Sequence, residues 1–178
     1  MFMRKLFFKK LKPVIIALAI ILILQLLVVT LKKSGYGITY SKSKSMPQGW
    51  YLIVSAKNLQ RNDIVVFLPP KNTRDFLSQK HWGPKSNLLL KHVMGMPGDL
   101  VCNRNHYLWI NQQKIAPLLV FYAPHKKLPQ NDFCRKLAND EYLLLSTKIT
   151  RSFDGRYFGP IKRENIMGKA IPLPTNLL

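Results

Sequence analysis

The stretch NLLLKHVMGMPGD, residues 87–99, combines an apolar run with a single lysine and an abrupt stop. Alternate residues of a β-strand share one face, so Leu89, Lys91 and Val93 are expected to project together. The Pro-Gly pair that follows forces a turn. The stretch therefore predicts a buried strand that carries a lysine into apolar surroundings.

Further short apolar runs, separated by turn residues, predict a mostly β fold. Strands are expected in GWYLIVSA (49–56), DIVVFLPP (63–70), EYLLLST (141–147) and IMGKAIPL (166–173), and a hairpin in HYLWINQQKIA (106–116). A surface insertion with a short helix at TRDFLSQ is expected over 71–87, and a loop over 122–136. The fold class is a partly closed barrel or packed sheets.

Residues 14–31, VIIALAIILILQLLVVTL, predict a transmembrane helix. As a helix, these 18 residues span about 27 Å, close to the hydrocarbon thickness of about 30 Å. The run is longer than the apolar region of a cleavable signal peptide, and KKSGYG behind it lacks a small-residue cleavage pattern. We therefore expect an uncleaved, single N-terminal anchor.

Basic residues flank this anchor unevenly. Five precede it and two follow it: Arg4, Lys5, Lys9, Lys10 and Lys12, then Lys32 and Lys33. Because cytoplasmic flanks carry the excess of basic residues, the N-terminus is predicted to be cytoplasmic. The expected organisation is a cytoplasmic basic segment (1–13), the transmembrane anchor (14–31) and an extracytoplasmic β-domain (32–178).

The charge of the chain indicates acidic partners. Its 178 residues include 28 basic and 8 acidic ones, a net charge of +20. A basic domain beside an anionic bilayer accounts for this excess, each nearby cation contributing about 1 kcal/mol, and so does a generally lysine-rich composition. Basic residues interleaved with aromatic ones, as in single-stranded nucleic-acid sites, are sparse. Membrane lipid is therefore an expected partner and nucleic acid is not.

Cys102 and Cys134 leave two alternatives, a disulfide or two buried free thiols. A bridge would close a loop of about 32 residues and stabilise an exported domain by about 3 to 4 kcal/mol on the chain-entropy model. The spacing of the two cysteines fits no zinc site.

Among the residue types that could carry catalysis in this sequence, serine and lysine remain as candidates after the others are excluded. The carboxylates show no paired spacing, the histidines no His-x-x-x-His motif, and the chain has no Gly-rich phosphate loop. Apolar neighbours on its own face are expected to desolvate Lys91 and lower its pKa. From about 10.4, a drop of some three units makes the amine a competent base, at a cost of about 4 kcal/mol. The alternative is a strand-edge lysine that reaches water.

A second candidate lies in SKSMPQGWYLI, residues 43–53. Ser45 before Met-Pro is either an ordinary turn residue or a nucleophile. The arrangement suits a nucleophile, because Pro47 fixes the local backbone and Gly49 allows a substrate chain to approach. Ser43 is placed to offer a hydroxyl to a developing oxyanion. The spacing alone leaves both readings open.

Four blocks in sequence order resemble the type I signal peptidases, which are membrane-anchored serine-lysine proteases. The blocks are SKSMPQG (43–49), RNDIVVF (61–67), LLLKHVMGMPGD (88–99) and SFDGRYFGPI (152–161). The resemblance implies that Ser45 is the acyl nucleophile and Lys91 the neutral general base. The Ser45 N–H and the Ser43 hydroxyl would form the oxyanion hole.

The final block extends these implied roles. Ser152 would orient the lysine, and Asp154 and Arg156 would form a structural ion pair beneath the site. The resemblance also implies a signal-peptidase-like β-domain, an exported precursor protein as substrate, small residues at its cleavage site, and no metal or organic cofactor. An apolar strand edge near Met46 or Trp50 is expected to reach the bilayer.

Departures from the housekeeping enzymes favour one branch of the family. Ser45-Met46-Pro47 is one residue shorter than their Ser-Met-x-Pro, STKITR replaces their Gly-Asp-Asn-Arg, Asn62 replaces Gly, and His92 replaces Arg. The short form and compact size resemble the TraF-type peptidases of conjugative transfer, which act on pilin precursors in type IV secretion. The expected location is the bacterial inner membrane with a periplasmic catalytic domain, where other conjugation components are candidate partners.

Four other functions compete with this one. A general housekeeping signal peptidase shares the chemistry and differs in substrate. A non-enzymatic, basic component of the transfer apparatus would bind nucleic acid. A self-cleaving repressor of the related Ser-Lys class lacks an anchor, which counts against it. A catalytically dead scaffold is disfavoured because Ser45, Lys91 and Ser152 are all present.

Overall fold

The computed structural model describes residues 2–84, 86–124, 126–129, 133–146 and 149–174, and within the first helix it describes the side chains of residues 12–31. Most of the charged side chains that predict the orientation of the anchor therefore lie outside the described residues. So do residues 147–148 of STKITR and part of the predicted 122–136 loop.

The N-terminal helix, α1, runs from Phe2–Lys33. Its segment Lys12–Leu31 has a mean hydropathy of 3.2, and none of it is buried against the rest of the chain. By length and composition this helix is able to cross a membrane. The helix is continuous through the predicted boundary between 13 and 14, so the division into segments remains a prediction.

After α1, the regular secondary structure of the described residues consists of short strands, two short α-helices and one 3-10 helix. The strands are β1 (Gly37–Ser41), β2 (Gly49–Val54), β3 (Ile64–Phe67), β4 (Leu89–Gly95), β5 (Leu100–Arg104), β6 (Tyr107–Ile110), β7 (Gln113–Pro117), β8 (Phe121–Ala123), β9 (Lys126–Lys127), β10 (Cys134–Lys136), β11 (Glu141–Leu145), β12 (Ile161–Lys162) and β13 (Ile166–Pro172). The helices are α2 (Lys71–Gln79), α3 (Gly155–Phe158) and the 3-10 turn Arg163–Asn165.

Seven strands form the larger, curled sheet, in the order β1-β2-β13-β3-β4-β11-β12. Its strand pairs are antiparallel. Alternation along β3 sends Val65 and Phe67 to one apolar cluster and Val66 to another on the opposite face. Apolar clusters therefore cover both faces of β3, and β4 lies between β3 and β11 in the interior of the sheet.

A four-stranded antiparallel sheet, in the order β10-β5-β6-β7, packs against the larger one. Val101, Leu108 and Ile110 of this sheet share a cluster with Leu143 and Leu145 of β11. Apolar contact between the two sheets joins them into one core. The predicted mostly β class is confirmed, with a curled sheet and a second sheet packed on it.

The predicted strands, the hairpin and the short helix are confirmed, but β1, β5 and β12 were not predicted and one predicted loop was wrong. β1 and β5 escaped detection because they are short and mix polar with apolar residues, so pairing with β2 and β6 stabilises them. The predicted 122–136 loop contains β8 in part, β9 and β10. Met46, expected at an exposed edge, is buried with 5% of its surface accessible.

Candidate active site

Strand β4 carries Lys91 into the centre of the molecule, where 3% of its surface is accessible. The register pairs it with Val65 of β3, so the strand frame fixes its backbone. Its Nζ lies 2.7 Å from the Ser45 Oγ and 2.9 Å from the Ser152 Oγ. The amine is thus held between two serine hydroxyls.

Burial changes the protonation of this amine. Desolvation lowers the pKa of Lys91 to about 8, the negative charge of Asp154 opposes that shift, and the positive charge of Arg156 adds to it. An ammonium loses hydration when it is buried, whereas a neutral amine loses much less. A substantial neutral fraction near neutral pH is what a general base requires.

Ser45 lies in the connection between β1 and β2, facing Lys91. Its backbone N–H donates to the Ser43 Oγ at 3.2 Å, and the two serine Oγ atoms are 2.8 Å apart. The Tyr51 hydroxyl donates to the Pro47 carbonyl at 2.7 Å, which ties the same connection to β2. Two hydroxyls and one backbone N–H therefore converge around one point.

Beneath the lysine lies a group that we call the polar floor, which consists of Ser146, Ser152, Asp154 and Arg156. Its central ion pair is buried: Arg156 Nε lies 2.8 Å from Asp154 Oδ1, with side-chain exposures of 1% and 0%. The remaining guanidinium N–H groups donate to carbonyls of Pro117, Thr150 and Ser152, each at 3.0 Å. A buried ion pair persists only when such further hydrogen bonds satisfy it.

Ser146 links this floor to the loop that carries Ser45. Its N–H donates to Asp154 Oδ2 at 3.0 Å, and its hydroxyl donates to the carbonyl of Ser45. Ser146 is buried at the end of β11. One residue thus contacts both the ion pair and the backbone of Ser45.

A cleft of about 530 Å³ opens beside Ser45, Lys91 and Ser152. Four aromatic side chains form what we call the aromatic wall: Phe76, Trp82, Tyr122 and Phe153. Phe153 stacks on Phe76 at 5.0 Å between ring centroids, and Trp82 meets Tyr122 edge-to-face at 4.8 Å. Such pairs hold one another in fixed orientations.

A second cleft, of about 650 Å³, runs between β1 and the start of β4. Ser43, Ser45 and Lys91 line both clefts. An extended polypeptide that occupied the two clefts would therefore cross directly over the two serines and the lysine.

Two departures from the family pattern have a local explanation. Asn62, where Gly is usual, has a φ of 72°, a left-handed conformation that Asn adopts more readily than most residues. His92, where Arg is usual, has its Nδ1 3.2 Å from the Asn62 carbonyl. The two substitutions therefore contact each other at the edge of β3 and β4.

The sequence comparisons identify the family. The model of the family described as signal peptidase, peptidase S26, matches residues 11–173. The chain belongs to that family. This membership makes the protein a serine-type endopeptidase of the signal peptidase I kind. The predicted resemblance is confirmed, and the apolar helix together with the family indicates a membrane-anchored protein.

Individual relatives include members of both branches. The plasmid transfer protein TraF of Escherichia coli is 29% identical over 159 residues, covering 82% of this chain and 88% of the relative. Signal peptidase I V of Bacillus subtilis (strain 168) is 26% identical over 122 residues, covering 63% of this chain and 64% of the relative. A crystal structure of a signal peptidase I from Enterococcus faecalis V583 has 25% identity and a TM-score of 0.39, covering 65% of this chain and 98% of that one.

The structure brings six of the predicted site residues of this signal peptidase into one cluster: Ser43, Ser45, Lys91, Ser152, Asp154 and Arg156. Cys102 and Cys134 lie elsewhere, opposite each other on β5 and β10, where a disulfide joins them. Within the described residues, no group of three or more His, Cys, Asp or Glu side chains is placed to hold a metal ion.

Three features of the site were missed. Ser146 ends an apolar strand and carries no motif of its own. Trp82 belongs to an insertion, and nothing in the sequence places it beside Phe153. Gly155 lets α3 approach β11, since a Cβ there would lie 2.8 Å from the Leu144 carbonyl oxygen. Of these three residues, only Gly155 could have been found from the sequence, because it lies inside the SFDGRYFGPI block (152–161).

Proposed function

We propose that this signal peptidase cleaves signal or leader peptides from exported precursors with a Ser-Lys dyad. Ser45 is the nucleophile and Lys91 the general base. The observation that carries the proposal is the buried Lys91 amine, which lies 2.7 Å from the Ser45 Oγ with its pKa lowered to about 8 by desolvation. A neutral amine at hydrogen-bond distance is able to take the hydroxyl proton as the serine attacks.

In the first half of the reaction, the Ser45 Oγ bonds to the scissile carbonyl carbon and its proton passes to the Lys91 Nζ. The Ser45 N–H and the Ser43 hydroxyl turn from each other to the oxyanion, each donor supplying about 3 kcal/mol of transition-state stabilisation. The C–N bond then breaks, and the Lys91 ammonium returns its proton to the leaving amine. The product is an ester of Ser45.

In the second half, Lys91 takes a proton from the incoming nucleophile, which bonds to the ester carbonyl carbon. The bond between that carbon and the Ser45 Oγ then breaks, and the Lys91 ammonium returns the proton to the Ser45 Oγ. With water, the product is a linear peptide with a new carboxylate. With the amino end of the same substrate, the product is a cyclic peptide that is lighter by one water. Ser152, 2.9 Å from the Lys91 Nζ, keeps the amine directed at the reacting atoms in both halves.

The test is cleavage of a candidate precursor by the full-length protein in membranes, with Ser45→Ala and Lys91→Ala as variants. Both are expected to lose at least a thousandfold in rate. Matched controls are Ser55→Ala and Lys162→Ala, which change residues that do not line either cleft and should cleave normally. Normal cleavage by Ser45→Ala and Lys91→Ala would reject the dyad.

We further propose that the substrate is a pilin precursor of conjugative transfer. The support is the similarity to a plasmid transfer protein over 82% of this chain. A general signal peptidase function is the alternative, and other conjugation components are partners only under the first proposal. Mass spectrometry of products from a pilin precursor and from an ordinary secreted precursor distinguishes the two, and it also reports linear against cyclic product. Preferential cleavage of the ordinary precursor would reject the pilin assignment.

We propose the predicted topology as well: residues 1–13 cytoplasmic, 14–31 in the bacterial inner membrane and 32–178 periplasmic. An exposed apolar face supports contact between the catalytic domain and lipid. It consists of Ile38, Tyr40, Trp50 and Ile171 on β1, β2 and β13, and β1 follows α1 directly. The Tyr40 and Trp50 rings meet at 5.1 Å, and aromatic residues are enriched at membrane surfaces.

The lipid contact is tested with the double variant Ile38→Ser/Trp50→Ser in the full-length chain. Cleavage in anionic lipid vesicles should fall several-fold, while cleavage of a short peptide in detergent should not change. Equal rates in vesicles would remove the role of this face. Labelling of single cysteines on either side of α1 with an impermeant reagent tests the orientation.

A further inference from the structure

The carbonyl of Ser45 has a buried donor that the proposed dyad does not use. The Ser146 hydroxyl donates to this carbonyl, although the two residues are separated by 101 positions in the chain. The Ser146 N–H is itself held by Asp154 Oδ2 at 3.0 Å. Ser146 is 6% exposed, so water has little access to compete for either contact.

The contact with Ser146 holds the peptide plane that follows the Ser45 Cα, which Ser43 does not contact through the Ser45 N–H. The peptide plane before the Ser45 Cα is held by its N–H, which donates to the Ser43 Oγ at 3.2 Å. The plane after the Cα contains the Ser45 carbonyl, which Ser146 holds. Rotation about the N–Cα or the Cα–C bond of Ser45 would redirect its Oγ and its N–H. The two contacts together therefore fix the orientation of both groups.

We propose that Ser146 is a positioning residue for the nucleophile, which couples the buried Asp154–Arg156 pair to the Ser45 backbone. The inference rests on the proposed role of Ser45. The hydroxyl of Ser146 transmits the rigid position of the polar floor to the attacking atom and to the oxyanion donor. Ser146 takes no part in proton transfer.

The experiment measures peptide cleavage by full-length Ser146→Ala, Ser146→Gly and Ser146→Thr, with each kcat normalised to the folded fraction. The Ala and Gly variants are expected to lower kcat at least tenfold, leave KM within twofold, and leave the midpoint of the pH-rate profile unchanged. The Thr variant keeps the hydroxyl and should recover most of kcat. Ser55→Ala, which removes a half-buried hydroxyl outside both clefts, is the matched control.

Several outcomes would overturn this inference. One is a normalised kcat within twofold of the wild type in Ala and Gly. Another is a Thr variant as slow as Ala while equally folded. A third is a pH midpoint that moves in the Ser146→Ala variant. Ser45→Ala is measured in parallel: if it still cleaves, the proposed function fails, whereas an inactive Ser45→Ala beside fully active Ser146 variants rejects only the positioning role.

Discussion

The polar floor and the aromatic wall flank the same lysine but are built in opposite ways. Three floor residues, Ser152, Asp154 and Arg156, lie within five positions of one another, and buried ionic and backbone hydrogen bonds hold them. The wall takes its rings from α2, from the residues after it, from β8 and from the final block. Apolar contact and ring orientation hold the wall together.

Because of this difference, the polar floor and the aromatic wall are suited to different tasks. The floor has directional bonds and almost no exposed surface, which suits the fixed placement of a base. Three rings of the wall, those of Trp82, Tyr122 and Phe153, line an open cleft, and Trp82 is 44% exposed. An accessible apolar surface beside a nucleophile suits contact with a bound chain. We therefore expect changes in the floor to affect kcat and stability, and changes in the wall to affect KM.

The largest effect is expected from Asp154→Asn. The substitution preserves shape but leaves the guanidinium of Arg156 buried without its counter-charge. Removing one partner of a buried ion pair costs about 3 to 5 kcal/mol. Urea unfolding in detergent should show this loss, together with a large fall in kcat. Asp140→Asn, on the exposed surface, is the control. An unchanged unfolding midpoint for Asp154→Asn would mean that the floor does not stabilise the fold.

The next effect is expected from loss of the disulfide. Cys102 and Cys134 enclose the segment that carries Tyr122 of the wall, with a sequence separation of 32. The double variant Cys102→Ser/Cys134→Ser should lose about 3 to 4 kcal/mol of stability on the chain-entropy model. Below its unfolding transition, KM should rise while the pH profile stays the same. Thiol labelling of the unreduced wild-type protein would instead indicate free cysteines.

The pH dependence of the cleavage rate tests whether burial beside the polar floor lowers the pKa of Lys91. In the proposed mechanism the neutral amine is the active form, so kcat/KM should fall about tenfold per pH unit below a midpoint near 8. Stability has a related dependence. The folded pKa lies below that of an unfolded lysine, so the unfolded chain binds more protons between about 8 and 10.5 and stability rises with pH over that window. Lys91→Met should abolish this rise. A rate midpoint near 10 would show that burial leaves the amine unperturbed.

The smallest effect is expected from Trp82→Ala. Removing this ring should raise KM about fivefold, equivalent to roughly 1 kcal/mol of lost aromatic contact, with kcat and the pH midpoint unchanged. Trp109→Ala, which changes a half-buried ring on β6, is the matched control. Should Trp82→Ala instead lower kcat at constant KM, the wall would belong to the catalytic machinery and the comparison with the floor would fail.

Sequence reasoning was sufficient for elements with a strong local signal. The apolar run 14–31, the alternation around Lys91 and the compact Ser-x-Asp-x-Arg block are local patterns, and each predicted element has a counterpart in the structure. β1 and β10 lacked such a signal. These two strands are stabilised by pairing with β2 and β5, and the residues of β1 and β10 alone do not indicate that pairing.

The sequence by itself determined the apolar N-terminal helix, the mostly β class, the family and the candidate site residues. These follow from hydrophobic periodicity, turn residues and short motifs, all of which are local. The tertiary structure decided the burial of Lys91 between two hydroxyls, the contact of Ser146 with the Ser45 carbonyl and the assembly of the aromatic wall. Those contacts join segments tens of residues apart, and strand order and sheet packing set which distant side chains meet.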